Sequence, residues 1–389
     1  MENVTEIFHE RREKERTMEQ HDSDPVSEGT TRRRLLEVSG ATVGGMLAAS
    51  VLGPSAAGSV ARSMRSAQAL KRVGASMWVD AEVHRELIGG MANVGKKLKS
   101  FSTGPVLDAG GDGVKQVLQA EAFLTQNFSG AFILNIQPQG WDEWGRTAKQ
   151  KGITTIAVTA FFPSATEFMR VDNPDAGTKL AAVAAKWFRD KRGGKGEWAL
   201  FELTSIPALT DRTVSMETAM KKLAPGVKLV GKAEAATQET GAKAAASLLA
   251  AHPNLNAILC FSDDAMLGGL QAVKEAGRDD PNEFWLGGVD AIKATLKELE
   301  NPQSVVKASA AFLWPTLGYF AGQHMSAALA GKAIPGWTRV RALLVTPQNV
   351  NAYRKLVAAP TSAASRSYFE FYKGRFSEAA YKAARKKRP

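Results

Sequence analysis

The sequence predicts an α/β protein with two doubly wound parallel-sheet lobes. Short apolar runs alternate with segments of helical periodicity from residue 70 onward, which is typical of parallel sheets covered by helices on both faces. Two later apolar runs, 257–261 and 284–290, each lead through polar residues into a helix. Because the carboxyl ends of parallel strands meet at one sheet edge, Asp263 and Asp290 are expected to lie together there.

The individual elements follow from apolar runs bounded by Gly, Pro and polar residues, and from apolar residues at helical spacing. Predicted strands span residues 72–78, 105–108, 131–136, 154–159, 198–203, 227–231, 257–261, 284–290, 305–310 and 340–345. Predicted helices span residues 83–98, 114–125, 141–151, 174–189, 211–223, 239–251, 265–276, 292–299 and 315–330. The turns between them are short, as expected for βαβ units.

The first 61 residues have the composition of a leader. Residues 1–31 are polar, charged and without apolar periodicity, so disorder is expected. Three arginines and two leucines at 32–36 precede a Gly/Ala-rich apolar stretch and small residues at 59–61, which resembles a twin-arginine export signal. Cleavage is expected after Ala61 or Ala69. The alternative is a basic helix start with a hydrophobic anchor, but the stretch is too short and glycine-rich to span a bilayer.

Cysteine content and charge exclude several classes of protein. The single cysteine, Cys260, excludes an intrachain disulfide and a multi-cysteine metal site, and its apolar strand predicts a core position. The net charge of +11 is compatible with nucleic acid, anionic membrane or anionic ligands, but much of it lies in the C-terminal tail at 382–388. A solvated tail is the simpler interpretation.

Two segments carry a family resemblance. Ser262-Asp263 before an Ala/Leu/Gly-rich helix, and Gly288-Val289-Asp290 before the next helix, resemble the second lobe of the type I periplasmic binding proteins of the sugar-binding class. The resemblance covers roughly residues 72–353. It implies a first lobe of residues 70–163 plus 313–340 and a second lobe of residues 164–312 plus 341–353. The three crossings would fall near 161–165, 291–315 and 339–342, and closing this hinge would bury a ligand between the lobes.

The residues that replace the family's sugar-binding groups are less polar. An Asp-Arg pair common in sugar binders is replaced by Thr159-Ala160, and a Gln at the last crossover is replaced by Phe312. Ser262 stands in place of Asn, and Thr210 in place of a second arginine. Since charged groups hydrogen-bond sugar hydroxyls strongly, these replacements predict a ligand less hydroxyl-rich than a free pentose, or one held differently.

The resemblance and the strand ends together give a set of candidate ligand-binding residues. They are Asp290, Trp78, Ser262, Thr159, Thr210, Arg212, Phe312, Trp314, Trp141, Phe161 and Asp80. Asp290 is expected to contact ligand, with a purely capping role as the alternative, and Asp263 is expected to act as a helix cap or hinge residue. Each tryptophan has a core position as its alternative, because aromatic side chains often only cover a core.

The resemblance implies an extracytoplasmic solute-binding protein that captures a small molecule, such as a sugar, a polyol or a less polar relative, and delivers it to an ABC permease in the inner membrane. The alternative is a periplasmic sensor that hands its ligand to a chemoreceptor or sensor kinase. The chain has no helix-turn-helix headpiece for a repressor and no assembled catalytic motif, so no nucleic-acid partner, enzyme activity, cofactor or metal is expected. We expect a monomer that meets the Tat translocase during export. The aromatic segment at 367–372, within a C-terminal extension at 354–389, is expected to pack on one lobe as a terminal helix, with docking on a partner as the alternative.

Overall fold

The computed structural model describes residues 70–135 and 137–387, which belong to one compact unit that begins at Leu70. The expected export signal, with its twin arginines and both cleavage positions, lies outside the described residues. Within the described ranges, no helix has the length and apolar character that crossing a membrane requires.

Thirteen strands and twelve helices are assigned in these ranges. The strands are β1 (Lys71–Met77), β2 (Phe101–Asp108), β3 (Gly130–Asn135), β4 (Thr154–Thr159), β5 (Glu167–Val171), β6 (Gly196–Glu202), β7 (Val227–Glu234), β8 (Leu255–Cys260), β9 (Trp285–Val289), β10 (Val306–Ala311), β11 (Trp337–Val340), β12 (Leu343–Val345) and β13 (Phe369–Tyr372). The helices are α1 (Glu82–Leu98), α2 (Gly113–Thr125), α3 (Trp141–Gln150), α4 (Asn173–Arg192), α5 (Pro207–Leu223), α6 (Gln238–Ala251), α7 (Asp263–Glu275), α8 (Lys293–Glu300), α9 (Trp314–Leu329), α10 (Val350–Ala358), α11 (Ala363–Arg366) and α12 (Glu378–Lys387).

The strands form two sheets, one in each lobe. The first has the order β13-β11-β5-β4-β3-β1-β2, and the second has the order β12-β10-β9-β8-β6-β7. All neighbouring strands are parallel except the β11–β13 and β10–β12 pairs. The central strands β3 and β8 are buried along their whole length, as apolar strands covered by helices on both faces must be. The predicted fold class of two doubly wound α/β lobes is therefore confirmed.

The hinge contains more passages of the chain than predicted. The chain leaves the first sheet after β5, returns after β10, and leaves again between β11 and β12 at residues 341 and 342. A fourth crossing then brings the chain back to the first sheet, because β13 pairs antiparallel with β11 at the edge of that sheet. The hinge is a four-segment connection in the described chain, and the C-terminal extension supplies the additional segment.

The first passage lies later in the chain than expected. The expected position of this passage is near 161–165. However, β5 pairs with β4 and belongs to the first sheet, so the passage is at Asp172. The strand β5 was not predicted, because its charged residues Glu167 and Arg170 interrupt the apolar run. Glu167 is fully buried, and its carboxylate accepts hydrogen bonds from Thr338 Oγ1 at 2.6 Å and from the His324 ring at 2.9 Å. Distant partners thus satisfy a charge that otherwise argues against a buried strand.

The C-terminal extension also differs from the prediction. The aromatic segment expected to form a terminal helix is strand β13, with the helix α12 following it. The strand adds to an exposed edge of the first sheet, where Trp337 stacks on Tyr372 with ring centroids 4.0 Å apart. Phe376, Tyr381 and Ala384 then pack into the first-lobe core. The aromatic residues Phe369, Phe371 and Tyr372 of this segment suit a strand better than a helix.

Candidate functional site

The candidate site lies at the carboxyl ends of three adjacent strands of the second sheet. β10, β9 and β8 are neighbours in that sheet, and they end next to Phe312, Asp290 and Ser262 respectively. The site borders the hinge, because Asn173 at the start of α4 reaches it from the first passage. Strand ends beside a change of sheet are the common place for ligands in α/β proteins.

Asp290 follows β9 in an unusual backbone conformation. Its φ is 121°, and its backbone N–H donates to the Ala310 carbonyl at 2.7 Å. A non-glycine residue with positive φ is strained, and such strain is often found at functional sites. Burial raises the pKa of this carboxyl to about 8; nearby Arg212 lowers it, and Asp263 and Asp264 raise it further. The carboxyl is thus held in an environment that disfavours its charge unless a partner arrives.

Arg212 on α5 connects the parts of the site. Its side chain is buried, and its Nε donates to Asn173 Oδ1 at 2.9 Å, while Nη1 donates to the Phe261 carbonyl at the end of β8. The guanidinium carbon lies 5.6 Å from the Phe312 ring centroid. Burial lowers the pKa of Arg212, and Asp290 and Asp263 oppose that effect. Arg212 therefore supplies a fixed positive charge beside Asp290.

Asp263 performs a capping role, but for the neighbouring helix. Its carboxylate accepts from the Ile292 backbone N–H at 3.1 Å, at the start of α8, and from Ser309 Oγ at 2.9 Å. The N-cap of its own helix α7 is Ser262, whose hydroxyl accepts from the Ala265 N–H at 3.4 Å. Burial raises the pKa of Asp263 to about 6. Asp263 holds the segment after Asp290 in place, and Ser262 is engaged with backbone.

Two aromatic side chains form a wall beside Asp290. The rings of Phe312 and Trp314 meet edge to face, with centroids 5.6 Å apart. Trp314 opens α9, and its buried indole Nε1 has no hydrogen-bond partner among the described residues. Trp314 also lowers the Asp290 pKa as a hydrogen-bonding neighbour, so its indole lies close to that carboxyl. An unpaired donor and a destabilised acceptor thus face the same place, where a ligand hydroxyl could serve both.

In the first lobe, Trp78 follows β1 and meets the His84 ring edge to face at 5.6 Å. Asp80 was predicted as a ligand contact, but it is exposed and pairs with Arg85 at 2.6 Å. Its neighbour Glu82 instead reaches the second lobe, where it accepts from the Lys293 backbone N–H at 3.0 Å. The two lobes therefore touch at the starts of α1 and α8, beside the candidate site.

Four further predicted residues lie outside the Asp290 cluster. Trp141 is fully buried in the first-lobe core, where it stacks on Phe162 at 5.9 Å, which is the core position given as its alternative. The Thr210 hydroxyl is occupied by the Ile206 carbonyl at 3.4 Å within α5. Phe161 packs against Phe376 of the C-terminal extension at 4.8 Å, and with Thr159 it lines a separate cavity described below.

Two residues near the site, Asn173 and Tyr353, are not among the residues predicted from the sequence. Asn173 follows the strand β5 that was not predicted, so nothing marked it as a hinge residue. Tyr353 is buried on α10, and its pKa is raised by burial and by the charges of Glu86, Asp263 and Asp290. Only the packing of α10 against helices of both lobes reveals it.

Known proteins share this architecture. A sequence profile described as a periplasmic binding protein domain matches residues 80–333, more than half of the chain. The chain belongs to the periplasmic binding protein domain family. The Escherichia coli K12 ABC transporter periplasmic-binding protein YphF is 23% identical over 207 residues, covering 52% of this chain and 62% of the relative. A xylitol-binding protein of Mycolicibacterium smegmatis is 25% identical over 187 residues, covering 47% and 52%. The chain thus spans about half to two thirds of the length of these curated relatives.

Solved structures give the same fold at low sequence identity. A Mycobacterium smegmatis protein in complex with β-D-fucofuranose aligns with a TM-score of 0.68 and 18% identity, covering 78% of this chain and all of that one. A Bacillus halodurans ABC transporter solute-binding protein with bound myo-inositol aligns with a TM-score of 0.65 and 19% identity, covering 73% and 97%. The C-terminal strand β13 and helix α12 lie beyond the residues that the family profile matches.

Proposed function

We propose that this periplasmic binding protein captures a small polyhydroxylated molecule between its lobes. The observation that carries the proposal is the pairing of Asp290 with Trp314. A strained carboxyl with a raised pKa and an indole N–H without a hydrogen-bond partner face one place beside the hinge. A ligand hydroxyl can donate to the carboxylate and accept from the indole, and the Phe312 ring offers an apolar face to the carbon skeleton.

Capture requires that ligand favours a closed arrangement of the lobes. In this structure the lobes already touch through Glu82 and Lys293, whose ammonium also lies 3.3 Å from the Glu86 carboxylate. A ligand bridging Trp78 of the first lobe and Asp290 of the second would add to these contacts and shift the equilibrium toward closure. No chemical step on the ligand is needed for such a function.

The ligand class follows from the relatives and the site. One relative is named as a xylitol-binding protein, and solved neighbours hold the polyol allitol and the cyclitol myo-inositol, whereas others hold the sugars fucofuranose and arabinofuranose. The chain lacks the Asp-Arg pair expected of sugar binders, which favours the first group. We therefore favour a polyol or cyclitol over a free pentose. Delivery to an ABC permease, export by the Tat pathway to an extracytoplasmic compartment and a monomeric state belong to the same proposal.

A thermal-shift screen tests the proposed site. The chain is heated with xylitol, myo-inositol, allitol, arabinose, amino acids and aromatic acids, and a polyol or cyclitol should raise the melting temperature. A ligand that binds only the folded state adds about 2.7 kcal/mol at a hundredfold excess over Kd, which is readily seen.

The Asp290→Ala variant should keep its fold and lose this ligand-dependent shift. Asp279→Ala is the matched control, because Asp279 is exposed on the same lobe. A full shift retained in Asp290→Ala would place the ligand elsewhere, and hits confined to aromatic acids would replace the proposed ligand class.

A further inference from the structure

A second cavity adjoins the candidate site on the side of the C-terminal helix. It has a volume of about 550 Å³ and lies between the strand ends of the first lobe, the first turn of α5, the hinge and α12. Asp211 of α5 lines it, whereas the adjacent Arg212 points to Asp290 and Phe312. Because Asp211 and Arg212 are consecutive residues of α5, the cavity and the Asp290 cluster lie on adjoining faces of the same turn of that helix. The volume suffices for a drug-sized molecule or for part of a longer ligand.

The cavity exists where the sugar-binding pair is missing. Thr159 and Ala160, which stand in place of the larger Asp-Arg pair, form part of its wall together with Phe161. Thr159 has a left-handed backbone with φ of 79°, an uncommon conformation for a β-branched residue. The replacement by small side chains leaves room at the end of β4. That room is continuous with the space beside α12.

A buried arginine with a free donor faces this cavity. Arg170 on β5 is only 9% exposed, and its Nε has no hydrogen-bond partner among the described residues. Its two terminal nitrogens make long contacts, 3.2 Å to Asp211 and 3.3 Å to Glu378. Both of those carboxylate side chains are more than half exposed, so they can turn to water. A buried donor without a partner is costly, and an incoming acceptor would remove that cost.

Two further cations lie on the α12 side of the cavity. Lys382 lines it, and no hydrogen bond or ion pair of Lys382 is found among the described residues. Arg385 contacts the hinge residue Asp172 through Nε at 3.3 Å, and its side chain remains 35% exposed. The lining thus combines Arg170, Lys382 and Arg385 with the two half-exposed carboxylates of Asp211 and Glu378. Its opposite wall is apolar, formed by Phe161 and Pro207.

We propose that this cavity is a second subsite of the ligand cleft and takes the carboxylate of an acidic ligand. The neutral, hydroxylated part of the molecule would lie at Asp290, and its carboxylate would lie among Arg170, Lys382 and Arg385. The ligand class is therefore a polyol that carries a carboxylate, such as an aldonic acid. This inference rests on the proposed function, because it extends the same cleft. Charge-assisted hydrogen bonds to a guanidinium give the acid its advantage over the neutral polyol.

Matched acid and neutral probes test the subsite by calorimetric titration of the full chain. The pairs are ribonate with ribitol, gluconate with glucitol and galactonate with galactitol. The acid of at least one pair should bind about tenfold or more tightly than its neutral partner. The Lys382→Gln variant should weaken acid binding about three- to tenfold and leave neutral binding unchanged. Lys386→Gln on the same helix is the matched control, because Lys386 lines only the neighbouring cavity.

The outcomes separate the two proposals. Neutral polyols that bind as well as their acids, or an acid affinity that Lys382→Gln leaves unchanged, would overturn the subsite while the proposed function stands. Arg170→Gln, checked for its fold by circular dichroism, should abolish the acid preference without abolishing neutral binding. Absence of binding by both members of every pair would overturn the subsite, and it would overturn the proposed polyol function as well if xylitol, myo-inositol and allitol also give no thermal shift.

Discussion

At the scale of single residues, the site depends on how the protein treats the Asp290 charge. The carboxyl is removed from much of the water, and its pKa rises to about 8 although Arg212 lies nearby. Asp263 is raised to about 6 by its own burial. In the folded chain both groups therefore hold a proton at pH values where the unfolded chain has released it. Ligand hydroxyls that stabilise the ionised carboxylate would reduce this cost.

The raised pKa predicts how stability depends on pH. Since the folded state binds more protons between the unfolded pKa of 3.8 and the folded value of about 8, the free energy of unfolding should fall as pH rises through that window. Asp290→Asn removes the titrating group, so the variant should gain about 2–4 kcal/mol relative to the parent between pH 5 and pH 8. Urea unfolding at pH 5, 6.5 and 8 measures this difference. Parallel curves for the two proteins would contradict the prediction, and Asp279→Asn should follow the parent.

At the scale of elements, each lobe contains a pair of closely packed helices. α1 and α9 approach where Gly90 faces Gly318, and a Cβ on Gly318 would lie 2.1 Å from the Leu87 carbonyl oxygen. α6 and α7 approach in the same way at Gly268, where a Cβ would lie 1.9 Å from the Gln238 carbonyl oxygen. Glycine at these positions is required by backbone contact, because a backbone carbonyl cannot move aside as a flexible side chain can.

Two adjacent glycines of α1 give a direct test of this packing. A Cβ on Gly90 would lie 2.7 Å from the Pro315 carbonyl oxygen, whereas a Cβ on Gly89 would have no atom within 4 Å. Gly90→Ala should therefore lower the free energy of unfolding by about 1–3 kcal/mol. Gly89→Ala is the matched control and should raise it by about 0.5–1 kcal/mol through helix propensity. Denaturant titration of both variants measures the effects, and equal shifts would show that the α1–α9 approach is not as close as described.

At the scale of the whole molecule, the C-terminal extension fastens the hinge. Asp172 is the N-cap of α4, the first helix of the second lobe, and its buried carboxylate accepts from Tyr381 Oη at 2.7 Å and from Arg339 Nε at 2.7 Å. Arg339 is fully buried on β11 and also pairs with Glu370 of β13. The orientation of α4 relative to the first sheet is therefore fixed in part by residues of the extension. Such a connection limits how freely the lobes can rotate.

Tyr381→Phe should loosen this connection. Loss of the hydrogen bond to Asp172 should lower the free energy of unfolding by about 1 kcal/mol and broaden the distribution of distances between the lobes. Spin labels on cysteines introduced at the exposed positions Gln150 and Lys222 report that distribution, since the native Cys260 is buried. Tyr319→Phe is the control, because its hydroxyl bonds only Gln323 on the same helix among the described contacts. Identical distributions for Tyr381→Phe and the parent chain would exclude a role of this bond in the hinge.

The sequence by itself determined the fold class and the position of the Asp290 cluster. Apolar runs alternating with helical periodicity are local signals, and they place Ser262, Asp263 and Asp290 at strand ends without knowledge of any distant contact. The core position of Cys260 follows from the same signal, because the apolar strand around it is buried on both faces.

Only the tertiary structure decided the hinge, the cavity and the roles of several candidates. Glu167 lies in a buried strand because His324 and Thr338, more than 150 residues away, satisfy its carboxylate. The hinge gains a fourth segment because β13 pairs with the open edge of β11, and the Trp141 ring is covered by Phe162, which follows the next strand. In each case a partner distant in sequence compensates a charge, pairs a strand edge or covers a ring. Local periodicity carries no information about such partners, because they are brought together only when the chain packs.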